Sequence, residues 1–105
     1  MSGRINKRDK AKRAVLEIAD HLAKDSILVA AKFIDAVERA LTFLTSMPEI
    51  AGRWESDHPR LQGIRVWRVD GFPNHLIFYR PTEDGIDLIF VCHASRDLDH
   101  LLEQL

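Results

Sequence analysis

A single cysteine, four prolines and five glycines in 105 residues leave this chain few of the special chemistries open to a short protein. One thiol cannot staple its own chain, so stability has to come from an apolar core. Cys92 itself, set in a run of branched apolar residues, reads as a small buried hydrophobe, and its solitude favours a reducing cytoplasm. No apolar run approaches the length of a membrane span, and no apolar segment with a cleavage signal follows the basic amino terminus, so neither membrane insertion nor secretion is expected. There is no phosphate-cradling glycine loop and no nucleophile elbow, and Ser26, Ser46, Ser56 and Ser95 lack a recognisable base arrangement. His21, His58, His75, His93 and His100 are scattered without zinc-ligand spacing, so no metal and no other cofactor is expected. Internal repeats, low-complexity linkers and coiled-coil heptads are also missing.

What is present belongs to one soluble domain spanning residues 1–105, with 46% hydrophobic and 30% charged residues. The net charge of -1 conceals an asymmetry. Arg4, Lys7, Arg8, Lys10, Lys12 and Arg13 face only Asp9 in residues 1–13, whereas six acids face only Arg96 in residues 81–105. A basic terminal patch can meet a phosphate backbone or an acidic protein segment, or it can be a solvated first helical turn.

The first half carries a helical period. Ala11, Ala14, Val15, Ile18, Ala19 and Leu22 fall on one face of an amphipathic helix, with Asp9 as its expected cap. Asp25 and Ser26 break the pattern and cap a second stripe through Ala30, Phe33, Ile34, Val37, Ala40, Leu41 and Leu44. So short a link predicts a hairpin of two helices. Asp35 and Arg39, four apart, add slight exposed support. The second helix should stop near Met47, because Pro48 restricts its predecessor and cannot continue the ladder. Residues 49–63 read as an irregular connection anchored by Trp54 and Leu61.

The second half changes period. Residues 64–69, 74–80 and 86–92 are short, branched and aromatic, and turn-forming clusters at 70–73 and 81–85 separate them, which predicts an antiparallel meander. Ile5 lies in a segment that adds a weak edge strand. The last two strands are apolar on both faces, with Leu76 and Phe78 opposed to Ile77 and Tyr79, and Leu88 and Phe90 opposed to Ile89 and Val91. One face can hold the helix hairpin, while the other calls for a further cover such as a partner. Leu98, Leu101, Leu102 and Leu105 form a terminal helical stripe. The expected class is α+β: an N-terminal helix hairpin on an antiparallel sheet of three to four strands, followed by a short C-terminal helix.

Candidate chemistry centres on the end of the last strand. His93 and Arg96 suit a phosphate, the imidazole transferring a proton and the guanidinium neutralising developing charge. Arg65, Arg68 and Arg80 lie on or beside neighbouring strands and are candidates for a cationic surface, and Tyr79 is a candidate to stack on a base. The architectural reading has the His93 ring on a backbone carbonyl, Ser95 capping the tail helix, and Arg96 with Asp97 clamping that helix to the sheet. Trp67, in a strand, is expected in the core. Trp54 either seals a helix end or marks an interface.

The ordered set of stretches at 30–38, 44–48, 61–65 (Leu61, Gln62, Gly63, Ile64, Arg65), 76–80 (Leu76, Ile77, Phe78, Tyr79, Arg80) and 93–98 (His93, Ala94, Ser95, Arg96, Asp97, Leu98) resembles the ParE/RelE superfamily of toxins from bacterial type II toxin-antitoxin systems, and its ParE branch more closely. The resemblance implies a twisted sheet under the hairpin, a cognate antitoxin whose carboxy-terminal segment wraps the toxin, and growth inhibition by poisoning DNA gyrase. RelE-like relatives instead cleave messenger RNA on the ribosome without metal, so the chain is either a non-enzymatic gyrase inhibitor or an endoribonuclease. A non-toxic antitoxin-binding module is a third reading. His93, Arg96, Arg65 and Arg80 are the catalytic candidates under the ribonuclease reading, although no tyrosine or lysine follows residue 80. In the ParE branch the 93–96 stretch is structural. Trp54, Arg65, Tyr79, Ile89 and Val91 form the expected target or partner surface, and homodimerisation through it is a further expectation.

Overall fold

In the computed structural model of this chain the described residues are 3–95 and 97–104. Arg96 and Leu105, assigned above to the phosphate site and the tail stripe, lie outside them.

Strand β1 (Arg4–Lys7) leads into helices α1 (Asp9–Ala23) and α2 (Ile27–Ser46). Ala11, Ala14 and Ala19 of α1 and Ala30, Ala36 and Ala40 of α2 are buried, small side chains that let two helices approach closely. Ser26 caps α2 as expected, its Oγ accepting from Val29 N–H at 3.2 Å. Asp9 does not cap α1. Arg8 takes the cap position without a side-chain bond, and Asp9 opens the first turn, where its carboxylate suits the positive end of the helix dipole. α2 ends at Ser46, ahead of Pro48.

The connection through residues 49–63 contains a two-residue strand, β2 (Gly52–Arg53), and a 3-10 turn at Pro59–Leu61. Strands β3 (Arg65–Val69), β4 (Phe72–Thr82) and β5 (Gly85–His93) follow, and α3 (Leu98–Glu103) closes the chain. Among the described residues the sheet therefore has five strands, ordered β1-β5-β4-β3-β2, instead of three to four. All its pairings are antiparallel except β1 on β5, which is parallel because the helix hairpin and three strands intervene. Gly85 makes that pairing possible, since a Cβ there would lie 1.9 Å from the Arg4 carbonyl oxygen. Gly71, at φ +82°, supplies the left-handed residue of the β3–β4 turn.

A bulge decides which residues of β5 share a face. Phe78 pairs with Phe90 but Tyr79 pairs with Leu88, so Ile89 is an extra residue in β5. Strict alternation would put Ile89 and Val91 together. Instead Leu88 and Val91 join the core under the helices, with Phe33, Leu41, Leu44, Ile77 and Tyr79. Ile89 and Cys92 join a second core with Leu61, Ile64, Leu76, Phe78 and Leu102.

That second core corrects the expectation of an open apolar face. The chain's own connection and α3 cover it, Trp54, Leu98 and Leu101 packing over the buried set. Trp67 is also corrected: it is half-buried at the rim of the first core, 5.6 Å from Phe43 between ring centroids. α3 is capped by Asp97, whose Oδ1 accepts from His100 N–H at 3.3 Å, and not by Ser95. No helix among the described residues is long and apolar enough to cross a membrane.

Candidate functional site

The β3–β4 register brings Arg65 opposite Tyr79, and Arg80 follows on β4. Arg65 Nη1 donates to the carbonyls of Glu49 at 3.1 Å and Ala51 at 2.6 Å. Tyr79, wholly buried, donates its hydroxyl to the Pro48 carbonyl at 2.7 Å. Together these residues pin the chain just beyond α2 to the sheet. Burial pushes the Tyr79 phenol above its usual pKa, with the Ala51 backbone N–H and the Arg65 guanidinium pulling the other way. Arg80 holds the second face of the connection, Nε donating to the Gln62 carbonyl at 3.1 Å and Nη2 to that of Arg60.

Arg65 and Arg80 also open onto one cleft of about 460 Å³, where Arg53 and Trp54 join them beside Gln62 and Gly63. Arg53 was not anticipated; the signal available was a cation next to Trp54 in the irregular connection. A guanidinium carries five N–H donors, more than these carbonyl contacts take up, so Arg65 and Arg80 both retain donors for a phosphate or carboxylate. Trp54 is half-buried, its ring edge-on to Phe78 at 5.4 Å and its indole N–H donating to Asp99 Oδ1 at 2.8 Å. It seals the second core and ties α3 down while one side borders the cleft.

His93 stands elsewhere. Its register partner is His75, five positions along β4 from Arg80, or about 17 Å at the usual strand rise. Among the described residues the ring bonds Ser95 and not the backbone carbonyl expected. Nδ1 accepts from Ser95 N–H at 3.1 Å and lies 2.7 Å from Ser95 Oγ. His75 completes an aromatic group with Phe33 and Phe72, at centroid distances of 5.2 and 6.3 Å. Burial lowers the His75 pKa below its ordinary value of 6.5, and neighbouring His93 lowers it further. No sequence signal paired these histidines, because their proximity depends on strand register.

Ile89 and Val91 are 3% and 1% exposed, on opposite faces, so in the folded chain they do not form one partner surface, and Tyr79 is equally enclosed. The basic amino-terminal segment is largely engaged internally. Arg8 pairs with Asp87 at 2.9 Å, Arg4 with Asp84 at 3.8 Å and Lys7 with Glu38, while Lys10 donates to the Gln104 carbonyl at 3.3 Å. Among the described residues no three histidines, cysteines or carboxylates gather as a metal site.

Residues 5–98 match the family described as "ParE toxin of type II toxin-antitoxin system, parDE". The chain belongs to the ParE toxin family. The match runs from β1 into the start of α3, so it takes in the first core, the arginine cleft and the second core apart from its α3 residues Leu101 and Leu102. No curated protein sequence matches the chain. Membership of the ParE family makes this a toxin of a type II toxin-antitoxin system and implies an antitoxin as its partner.

Proposed function

We propose that this ParE-family chain arrests bacterial growth by poisoning DNA gyrase, holding it with cleaved DNA, and that its cognate antitoxin reverses the arrest. The observation that carries this reading is the separation of His93 from the arginine cleft. Cleavage of RNA by proton transfer needs a base within hydrogen-bond reach of the attacking hydroxyl and a cation on the same phosphate. His93 is held by Ser95 at one end of β5, whereas Arg65 and Arg80 face the cleft at the other end of the β4–β5 ladder. Poisoning an enzyme–DNA complex requires a binding surface and no proton-transfer pair. In this reading Arg53, Arg65 and Arg80 contact DNA phosphate or acidic groups of the target, with Trp54 beside them.

The deciding experiment is supercoiling and DNA cleavage by purified gyrase in the presence of the chain, with and without antitoxin. Inhibition with trapped cleaved DNA, reversed by antitoxin, is the expected result. Unaffected gyrase would overturn it.

Ribosome-dependent RNA cleavage is the second reading, favoured by the same cleft, since three guanidiniums beside an indole suit a single-stranded phosphate backbone and a stacked base. Cleavage of messenger RNA on purified ribosomes tests it. Expression that leaves growth unchanged would favour the non-toxic binding module.

A further inference from the structure

Strand β2 covers β3 only at Arg65 and Val66, so among the described residues 67–69 form an open edge of the sheet. Beside that edge α2 presents Ala36 and Ala40, side chains too short to fill the space, and a cleft of about 540 Å³ opens between the helix and the β3–β4 turn. That volume lies within the usual range of small-molecule sites, about 300–1,000 Å³. Phe43 and Trp67 both line it, their ring centroids 5.6 Å apart and their planes at 36°. Phe43 is 40% exposed and Trp67 half-buried, so two aromatic rings meet water here where a flat ligand would cover them. No residue lining this cleft also lines the arginine cleft.

The polar groups of the lining identify what fits. Arg39 comes from α2 and Arg68 from β3. Arg39 pairs with Asp35 at 3.5 Å, but both side chains are well exposed, and such a pair contributes little and yields to a better-placed anion. Arg68 Nη1 donates to the Pro73 carbonyl at 2.8 Å, which holds the guanidinium beside the turn and takes up one of its five N–H donors. Asp70 is the one carboxylate in the lining among the described residues. Two guanidiniums call for an anion, and phosphate matches their geometry. Two rings call for a flat heteroaromatic group, and a carboxylate beside them calls for a hydroxyl donor. A ribonucleotide carries all three on one molecule, and a carboxylate is a usual acceptor for the ribose 2′-hydroxyl.

We propose that this cleft binds a purine ribonucleotide, its base against Trp67 and Phe43, its phosphate on Arg39 and Arg68, and its 2′-hydroxyl on Asp70. The site stands apart from the arginine cleft and does not depend on whether gyrase or the ribosome is the target.

Calorimetric titration of the full chain with AMP and with GMP tests it. Saturable binding of at least one is expected, and binding of neither at millimolar concentration would overturn the proposal. For whichever nucleotide binds, the nucleoside without its phosphate should bind at least about tenfold more weakly. The 2′-deoxynucleotide should bind about fivefold more weakly, through loss of one hydrogen bond. Equal affinity of either analogue would overturn the assignment of groups. The Arg39→Ala, Arg68→Ala double variant should bind about 100-fold more weakly or worse. Both positions are exposed, and an unchanged circular dichroism melt establishes that the variant is folded. Wild-type affinity in that folded variant would overturn the site. Amide chemical shifts supply an independent check: the nucleotide should move the resonances of residues 36–43 and 67–73. Shifts confined to residues 53–56, 62–65 and 80–81 would place the ligand in the arginine cleft and overturn the proposal.

Discussion

His75 and His93 stand directly opposite each other across β4 and β5, their ring centroids 5.1 Å apart and their planes at 83°. Phe33 of α2 and Phe72 at the start of β4 also lie against His75, so it has apolar rings on one side and a second imidazole on the other. Both burial and the neighbouring ring oppose a proton on His75.

Stability should therefore depend on pH through this residue. The folded pKa of His75 lies below its unfolded value near 6.5, so the unfolded chain takes up the proton first as pH falls. Its contribution is complete above 6.5, declines as pH drops through that value, and stops declining below the folded pKa. Urea midpoints at pH 7.5 and pH 5 check this by comparing the chain with His75→Gln. The variant should lose less stability between the two, and an equal loss would show that His75 is not the source.

Tyr79→Phe should cost about 1–2 kcal/mol, because the Pro48 carbonyl loses its buried donor while the ring stays in place. Tyr79→Ala adds a cavity in the core under the helices and should cost about 3–5 kcal/mol. Urea unfolding measures both.

Arg65 has an architectural role and an exposed set of donors, and two variants separate them. Arg65→Lys keeps the charge but cannot reproduce the guanidinium fork, so the bridge from Glu49 to Ala51 weakens, at about 1 kcal/mol. Growth inhibition should fall by more than that loss of stability explains if the cleft contacts the target. Retention of full toxicity in Arg65→Lys and Arg80→Lys would remove the cleft from the target surface.

Gly85→Ala should disrupt β1. The added methyl meets the Arg4 backbone, which cannot move without breaking the parallel pairing, so a cost of about 1–3 kcal/mol is expected. Amide exchange in residues 4–7 should accelerate selectively, and unchanged exchange would show that the strand can shift to accommodate it.

Trp54→Phe should loosen α3. It keeps an aromatic ring against Phe78 but removes the donor to Asp99, a loss of about 1 kcal/mol at this half-buried position. Faster exchange in residues 98–103, with α1 and α2 unchanged, is the expected signature.

Local physics made much of this protein legible in sequence. Helical periodicity identifies α1 and α2, the Ser26 hydroxyl starts the second helix and Pro48 stops it, since each of these acts within a turn of the residue concerned. The alternation of Leu76, Ile77, Phe78 and Tyr79 assigned both faces of β4, and Ile5 marked the edge strand. Ordered stretches along the chain carried the family resemblance, which the match over residues 5–98 then established.

Tertiary structure decided the rest, because each remaining feature depends on how distant segments align. One extra residue at Ile89 reverses the faces of β5 beyond it, and a bulge leaves no mark in hydrophobic alternation. Register alone brings His75 to His93 and separates His93 from Arg65 and Arg80. The apolar face that called for a partner is covered by Trp54, Leu61 and α3, since the chain reaches back over its own sheet to bury it. Sequence determined which surfaces must be apolar, through the free energy of removing them from water. Only the closed fold decided which of them the chain covers itself and which, on the helix hairpin, remain exposed.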